Sequence, residues 1–142
     1  MSTIQTRQLE NAHAFLTSLN APDFDALADL LSPDFTHTEY CVAASLDLPG
    51  EQVKRGKQEM LDLFKHTWLT FFEYIKFLPP IEVVQGSDAV VFHVKSDGMS
   101  KSGKKLNNEY MLIFRFAGEK IVHMKEFPDP KHSASYFADL SS

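Results

Sequence analysis

One cysteine, Cys41, stands among 142 residues, so no disulfide can form within the chain. Packing alone must hold the fold, and such cysteine usage fits a reducing compartment. No apolar run approaches the roughly 20 residues that cross a bilayer. The first eight residues are polar and carry no apolar signal core. The expectation is a soluble cytoplasmic protein that makes no membrane contact. Positive charge is also short: 14 Lys and Arg against 19 Asp and Glu leave a net charge of −5. A nucleic-acid partner needs the opposite excess and is excluded. Lys101, Lys104 and Lys105 gather at one polar hairpin tip, which reads as a solvated loop. No glycine-rich phosphate loop follows a strand pattern, so no cofactor is expected. Repeats, low-complexity tracts and linkers are missing as well, which leaves one domain over residues 1–142.

What is present is an ordinary apolar content of 44%, with twelve Phe beside four Tyr and one Trp. That is enough for a sizeable core lined with aromatic faces. Residues 6–20 read as a helix, with Leu9, Ala12, Leu16 and Leu19 spaced three and four apart. Asp23 caps a second short helix through Leu31, which Ser32-Pro33 breaks. Residues 35–42 form a candidate strand. Residues 46–55 hold Pro49 and Gly50 and read as a loop, a candidate lid over a pocket mouth. A third helix spans 57–69, with Met60, Leu61, Phe64 and Trp68 as its stripe. The period then changes to two. Residues 72–84 are extended, with Pro79-Pro80 marking a bulge or edge. Strands follow over 89–99, 106–117 and 120–127, and Asp129-Pro130 opens a last short helix through 138. Hairpin connections imply an antiparallel sheet. Strands this long must bend, and a bent sheet around helices makes an α+β cone with an internal cavity.

The candidate chemistry lies on strand faces. Side chains alternate along a strand, so Phe35, His37 and Glu39 point the same way. An apolar residue followed by two titratable ones suggests an inner face turning into a polar pocket. His37 and Glu39 sit about 6.6 Å apart along the strand. A carboxylate in an apolar cavity is pushed toward neutrality, which suits a general acid or base; the bland alternative puts both on a solvated face. Cys41 shares that face, but the outer pair would lie about 13 Å apart. One metal ion cannot span them, and no metal site is expected. Asn108, Tyr110, Leu112, Phe114 and Phe116 share another face. Asn108 and Tyr110 either hydrogen-bond a substrate oxygen or, for the tyrosine, pack with the hydroxyl at the rim. Glu126 follows Val122 and Met124, as a cavity acid or a rim charge. Phe64 and Trp68 read as core that also serves as cavity wall. Met111 and Ile113, flanked by Glu109 and Arg115, put apolar residues on the outer face and suggest a homodimer.

The layout resembles the nuclear-transport-factor-two-like superfamily, in particular its SnoaL-like and ketosteroid-isomerase-like members. The resemblance covers nearly the whole chain. It rests on Leu30-Leu31-Ser32-Pro33-Asp34-Phe35, on Arg55-Gly56-Lys57, and on the hairpin from Tyr110 to Phe116 and Met124 to Phe127. In ketosteroid-isomerase-like members a carboxylate ending the first strand is the general base, and that place falls on Glu39. Their oxyanion-binding acid falls on Leu112, which cannot donate a hydrogen bond, and their helix-one tyrosine is missing. SnoaL-like cyclases pair an acid with a histidine, and both types are available here. The fold hosts catalysts and binders alike. The expectation is a cofactor-independent enzyme doing isomerisation, cyclisation or dehydration on a small, mostly apolar molecule. His37, Glu39 and Glu126 would be catalytic, with Phe35, Phe64, Trp68, Asn108, Tyr110 and Leu112 around the substrate. The alternatives are a non-catalytic small-molecule binder of the same fold and a dimerisation module with a filled core.

Overall fold

The computed structural model describes residues 2–40 and 52–129. The lone Cys41, most of the candidate lid and the last short helix lie outside them. Helix α1, Thr3–Asn20, starts earlier than its apolar spacing suggests, because Ser2 and Gln5 form a capping box. The Gln5 amide donates to the Ser2 hydroxyl at 3.2 Å and the Ser2 amide to the Gln5 side chain at 3.1 Å. Helix α2, Phe24–Asp29, is capped by Asp23, whose carboxylate accepts from the Ala26 amide at 3.0 Å. It ends two residues short of the expected Leu31, which already belongs to a strand. Helix α3, Lys57–Thr70, follows Gly56 and turns Met60, Leu61 and Phe64 inward.

The strands are β1 (Leu31–Tyr40), β2 (Gln52–Gly56), β3 (Phe72–Phe77), β4 (Glu82–Gly86), β5 (Ala89–Ser100), β6 (Lys105–Leu106), β7 (Glu109–Ala117) and β8 (Lys120–Pro128). They form one curled sheet in the order β2-β1-β8-β7-β5-β3, with β4 and β6 also paired to β5. Three expectations change. The sheet is mixed rather than antiparallel, because β1 runs parallel to β8. These strands are joined by most of the chain rather than by a hairpin, so nothing forces them to run opposite ways. Strand β1 begins at Leu31, ahead of Pro33, and its register to β8 shifts between Leu31 and Thr36. A bulge there tolerates a residue without a backbone N–H. Residues 52–55 are not loop: they pair antiparallel with β1, Arg55 opposite His37 and Val53 opposite Glu39.

Helices cover one face of the sheet. Ala12, Phe15, Leu16 and Leu19 from α1, Leu27 from α2 and Met60, Leu61 and Phe64 from α3 join Phe35, Val90, Phe92, Leu112, Phe114 and Met124 in one core. Phe114 meets Phe15 and Phe92 edge-on, with centroids 5.2 and 5.5 Å away. Burying each such side chain contributes about 1.5–3 kcal/mol. Polar ties set the helix positions. Buried Gln8 donates to Asp88 at 2.9 Å and to the Gly118 carbonyl at 2.8 Å, pinning α1 to two hairpin turns. Gly118 turns the last hairpin at φ 62°, where a side chain would be strained. Asn20 bonds the Phe77 backbone twice, at 2.9 and 2.6 Å. Among the described residues no helix is long and apolar enough to cross a membrane.

Candidate active site

Register brings the acids together. Glu39 on β1 lies opposite Glu126 on β8, which lies opposite Leu112 on β7, which lies opposite Phe92 on β5. One row of the inner face therefore runs from two carboxylates into solid apolar core. The neighbouring row is Arg55, His37, Met124, Phe114 and Val90. His37 is buried to 1% exposure, while Glu126 keeps 16%, Arg55 18% and Glu39 29%. The histidine is sealed in and the carboxylates sit at the edge of the interior.

Four side chains form a chain of hydrogen bonds. His37 Nε2 is 3.1 Å from Glu126 Oε1. Arg55 Nη1 is 3.3 Å from His37 Nδ1 and 3.2 Å from Glu39 Oε1. A guanidinium can only donate. His37 Nδ1 must then accept, its proton sits on Nε2, and Nε2 donates to the Glu126 carboxylate. The Phe64 ring stands edge-on to the imidazole, 5.7 Å between centroids. The imidazole is thus fixed in tautomer by Arg55 and in orientation by Phe64.

Burial pushes Glu39 above the ordinary carboxylate range, and the charge of Glu126 pushes it further. Arg55 and His37 pull the other way without cancelling this. Burial also raises the Tyr110 hydroxyl, with the charges of Glu126 and Glu39 adding to it. That tyrosine therefore lies within electrostatic reach of both acids.

The other expected residues divide. Phe35 is buried in the core on the site strand itself. Phe64 contacts His37 directly, and Trp68 stands behind it with ring centroids 5.4 Å apart. The Trp68 indole donates to the Leu19 carbonyl at 3.2 Å, so this residue ties α3 to α1. Leu112 is the buried neighbour of Glu126. Tyr110 packs on Phe77 at 5.5 Å and bonds Ser96 Oγ at 3.3 Å. Asn108 is buried where β7 begins, and its side chain accepts from the Glu109 amide at 2.8 Å. Both polar groups of that row are engaged with the protein. Arg55 is the member that sequence reasoning missed. Its stretch, Val53-Lys54-Arg55-Gly56, has no apolar alternation and reads as loop. The available signal was chemical, since two inward acids and a histidine call for a cation. Among the described residues no group of three or more metal-ligating side chains could hold an ion.

A family model described as SnoaL-like domain matches residues 12–124. The chain belongs to the SnoaL-like family. No curated protein matches the sequence. Among solved structures, PrhC from Penicillium brasilianum NBRC 6234 superposes with a TM-score of 0.83 at 16% identity, covering 98% of this chain and 91% of that one. BvnE pinacolase from Penicillium brevicompactum gives 0.79 at 18% identity, covering 99% and 95%. An NTF2-like protein of unknown function from Burkholderia pseudomallei K96243 gives 0.74 at 15%, covering 95% and 97%. At such identities the likeness shows the fold: this is the cone-shaped α+β architecture of nuclear-transport-factor-two-like proteins.

Proposed function

We propose that this SnoaL-like chain is a cofactor-independent enzyme that moves protons on a small, mostly apolar molecule, by isomerisation, cyclisation or dehydration. The observation that carries the reading is the Glu39–Glu126 pair. Two carboxylates face each other across adjacent strands, and burial and the second charge keep a proton on Glu39 above the usual range. Environments that separate two acids assign them opposite roles. Glu39 is the proton donor, and Glu126, held by His37 Nε2 at 3.1 Å, is the second acid beside it. His37 is occupied at both ring nitrogens, so it positions Glu126 rather than meeting substrate. In this reading the catalytic role expected of His37 becomes a positioning one. Phe35, Phe64, Leu112 and Tyr110 supply the apolar surroundings. The structural likeness to a protein described as a pinacolase agrees with proton-transfer chemistry.

The test begins with titration of Glu39 by NMR in the full chain. An apparent value above the ordinary 4.5 supports the reading. Titration at the ordinary value overturns it in favour of a non-catalytic binder. A panel of small unsaturated and hydroxylated carbonyl compounds is then incubated with the protein and with Glu39→Gln. Products of unchanged mass, or lighter by one water, should form only with the parent protein.

We propose further that the protein is a cytoplasmic homodimer. The outer face of β7 reads Glu109, Met111, Ile113, Arg115. A two-fold axis between Met111 and Ile113 brings each Glu109 against the partner's Arg115. Met111 is exposed, and so is Val84, which shares a row with Val91 and Ile113 two strands away. Light scattering should give twice the chain mass, and Met111→Lys with Ile113→Glu should halve it. A monomer at micromolar concentration for the parent protein overturns the assignment.

A further inference from the structure

The outer face of the same three strands holds a hollow of about 600 Å³ that the proposed chemistry does not use. It is lined by Thr36, Thr38, Tyr40, Lys54, Arg55, Gly56, His123 and Lys125. Register explains its shape. Thr38 on β1 has Lys54 on one side and Lys125 on the other. Strands lie about 4.8 Å apart, so the two lysines rise from backbones roughly 10 Å apart with a threonine between them. One step along β1, Thr36 lies between Gly56 and His123. Glycine puts no side chain there, and Glu59 Oε1, which accepts from the Gly56 amide at 3.2 Å, stands at that end of the hollow. Tyr40, stacked on Phe127 at 4.5 Å, lies one step beyond the lysine pair.

The chemistry of this lining is one-sided. Among the described residues the one carboxylate beside the lining is Glu59, at the Gly56 end and bonded to that backbone amide, away from the lysine pair. Arg55 is turned toward Glu39 and His37 on the inner face. Lys54 and Lys125 make no ion pair among the described residues, in a chain of net charge −5. Thr36 Oγ1 lies 2.5 Å from His123 Nδ1, and Thr38 Oγ1 lies 3.5 Å from Nε2. Two lysines, two threonines and a histidine thus line one concave space, with Thr38 buried at its floor. Cations at neighbouring positions repel one another unless an anion lies between them.

We propose that this outer hollow is a binding site for a small oxyanion, a phosphate or carboxylate group held between Lys54 and Lys125 over the threonine hydroxyls. His123 reports on its occupancy. Burial lowers the His123 pKa, and Lys125, His37, Lys54 and Arg115 lower it further. A bound anion opposes the lysine and arginine charges around His123 and favours the imidazolium. Binding therefore takes up a proton and tightens as pH falls through the His123 titration.

The 142-residue chain is titrated with inorganic phosphate, and separately with acetate, while NMR follows Thr36, Thr38 and His123. Ionic strength is held constant with chloride. Saturable shifts at these three residues, with a rise in the His123 pKa, are expected. Lys54→Ala combined with Lys125→Ala should weaken the effect about tenfold or more. Lys54 is exposed and Lys125 half-buried, and neither belongs to the core, so the double variant should keep the parent spectrum elsewhere. Saturation by phosphate alone, by acetate alone or by both assigns the oxyanion class, each in support. Shifts that chloride reproduces, or that persist unchanged in the double variant, overturn the site.

Discussion

Strands β1, β2 and β8 carry opposite chemistry on their two faces. Inward they present Glu39, Glu126, His37 and Arg55. Outward they present Lys54, Lys125, His123, Thr36 and Thr38. Inside, each acid has a hydrogen-bonded partner and the group that shifts is a carboxylate, raised by burial and by a second acid. Outside, the group that shifts is a histidine, lowered by burial and by surrounding cations. On both faces burial and like charge disfavour the charged form. The difference lies in what limits the repulsion. The inner acids share Arg55 and His37 within the chain. The outer cations have no such internal partner among the described residues. This contrast teaches that period-two alternation can place an acid/base site and an oppositely charged surface back to back.

The comparison is broken most sharply at Glu39. If the inner face is the catalytic one, Glu39→Gln keeps shape and removes the transferable proton. The catalytic step should fall on the order of 10²- to 10⁴-fold, with ligand binding much less affected. Single-turnover rates alongside equilibrium binding separate the two. Unchanged turnover would make the inner acids as structural as any buried pair and would remove the distinction between the faces.

Arg55 sharpens the comparison with a smaller effect. Arg55→Lys keeps the charge but replaces a rigid fork by a point donor, which cannot hold His37 and Glu39 in one geometry. Turnover should fall by up to about 10²-fold, the scale of a misplaced catalytic group. The loss should sit in kcat more than in KM. The ¹⁵N shifts of His37 should show the two ring tautomers mixing, which loss of packing alone would not produce. A single retained tautomer with reduced activity would mean that Arg55 acts elsewhere.

Much of this was legible in the sequence, for identifiable reasons. The alternation of Phe35, His37 and Glu39 carried the site strand, since one inward face of period two fixes the others. Helices α1 and α3 declared themselves by apolar spacing. Glu126 was visible only as a choice between cavity and rim, because its partner lies 89 positions away. Parallel pairing of β1 with β8 could not be read, since nothing local encodes which distant strand lies alongside. Strand β2 failed for a different reason. It is a short edge strand of mostly polar residues, whose pairing comes from β1 rather than from its own propensity. Missing β2 meant missing Arg55 and Lys54 together, and so the cation of each face. Asn108 and Tyr110 had the right face but not the expected freedom, because Ser96 and the Glu109 backbone engage them.

The smallest effect is the most direct test of the contrast, because the two faces should respond to pH in opposite senses. Glu39 holds its proton more tightly in the folded chain than in the unfolded one. Its contribution to stability is present below the ordinary value of 4.5 and is lost as pH rises through the raised folded value. His123 holds its proton less tightly when folded. Its contribution is present above the ordinary 6.5 and is lost as pH falls through the lowered folded value. Glu39→Gln should therefore gain on the parent protein in melting temperature as pH rises above 4.5, and not below it. His123→Gln should gain as pH falls below 6.5, with any constant offset from the lost Thr36 contact subtracted. Each difference is a small part of a total stability of about 5–15 kcal/mol, so calorimetry across the whole range is needed. Inorganic phosphate should shrink the His123 difference and leave the Glu39 difference alone, because only the outer cations meet the anion. Two variants whose pH profiles run the same way would show that the faces are not electrostatically distinct.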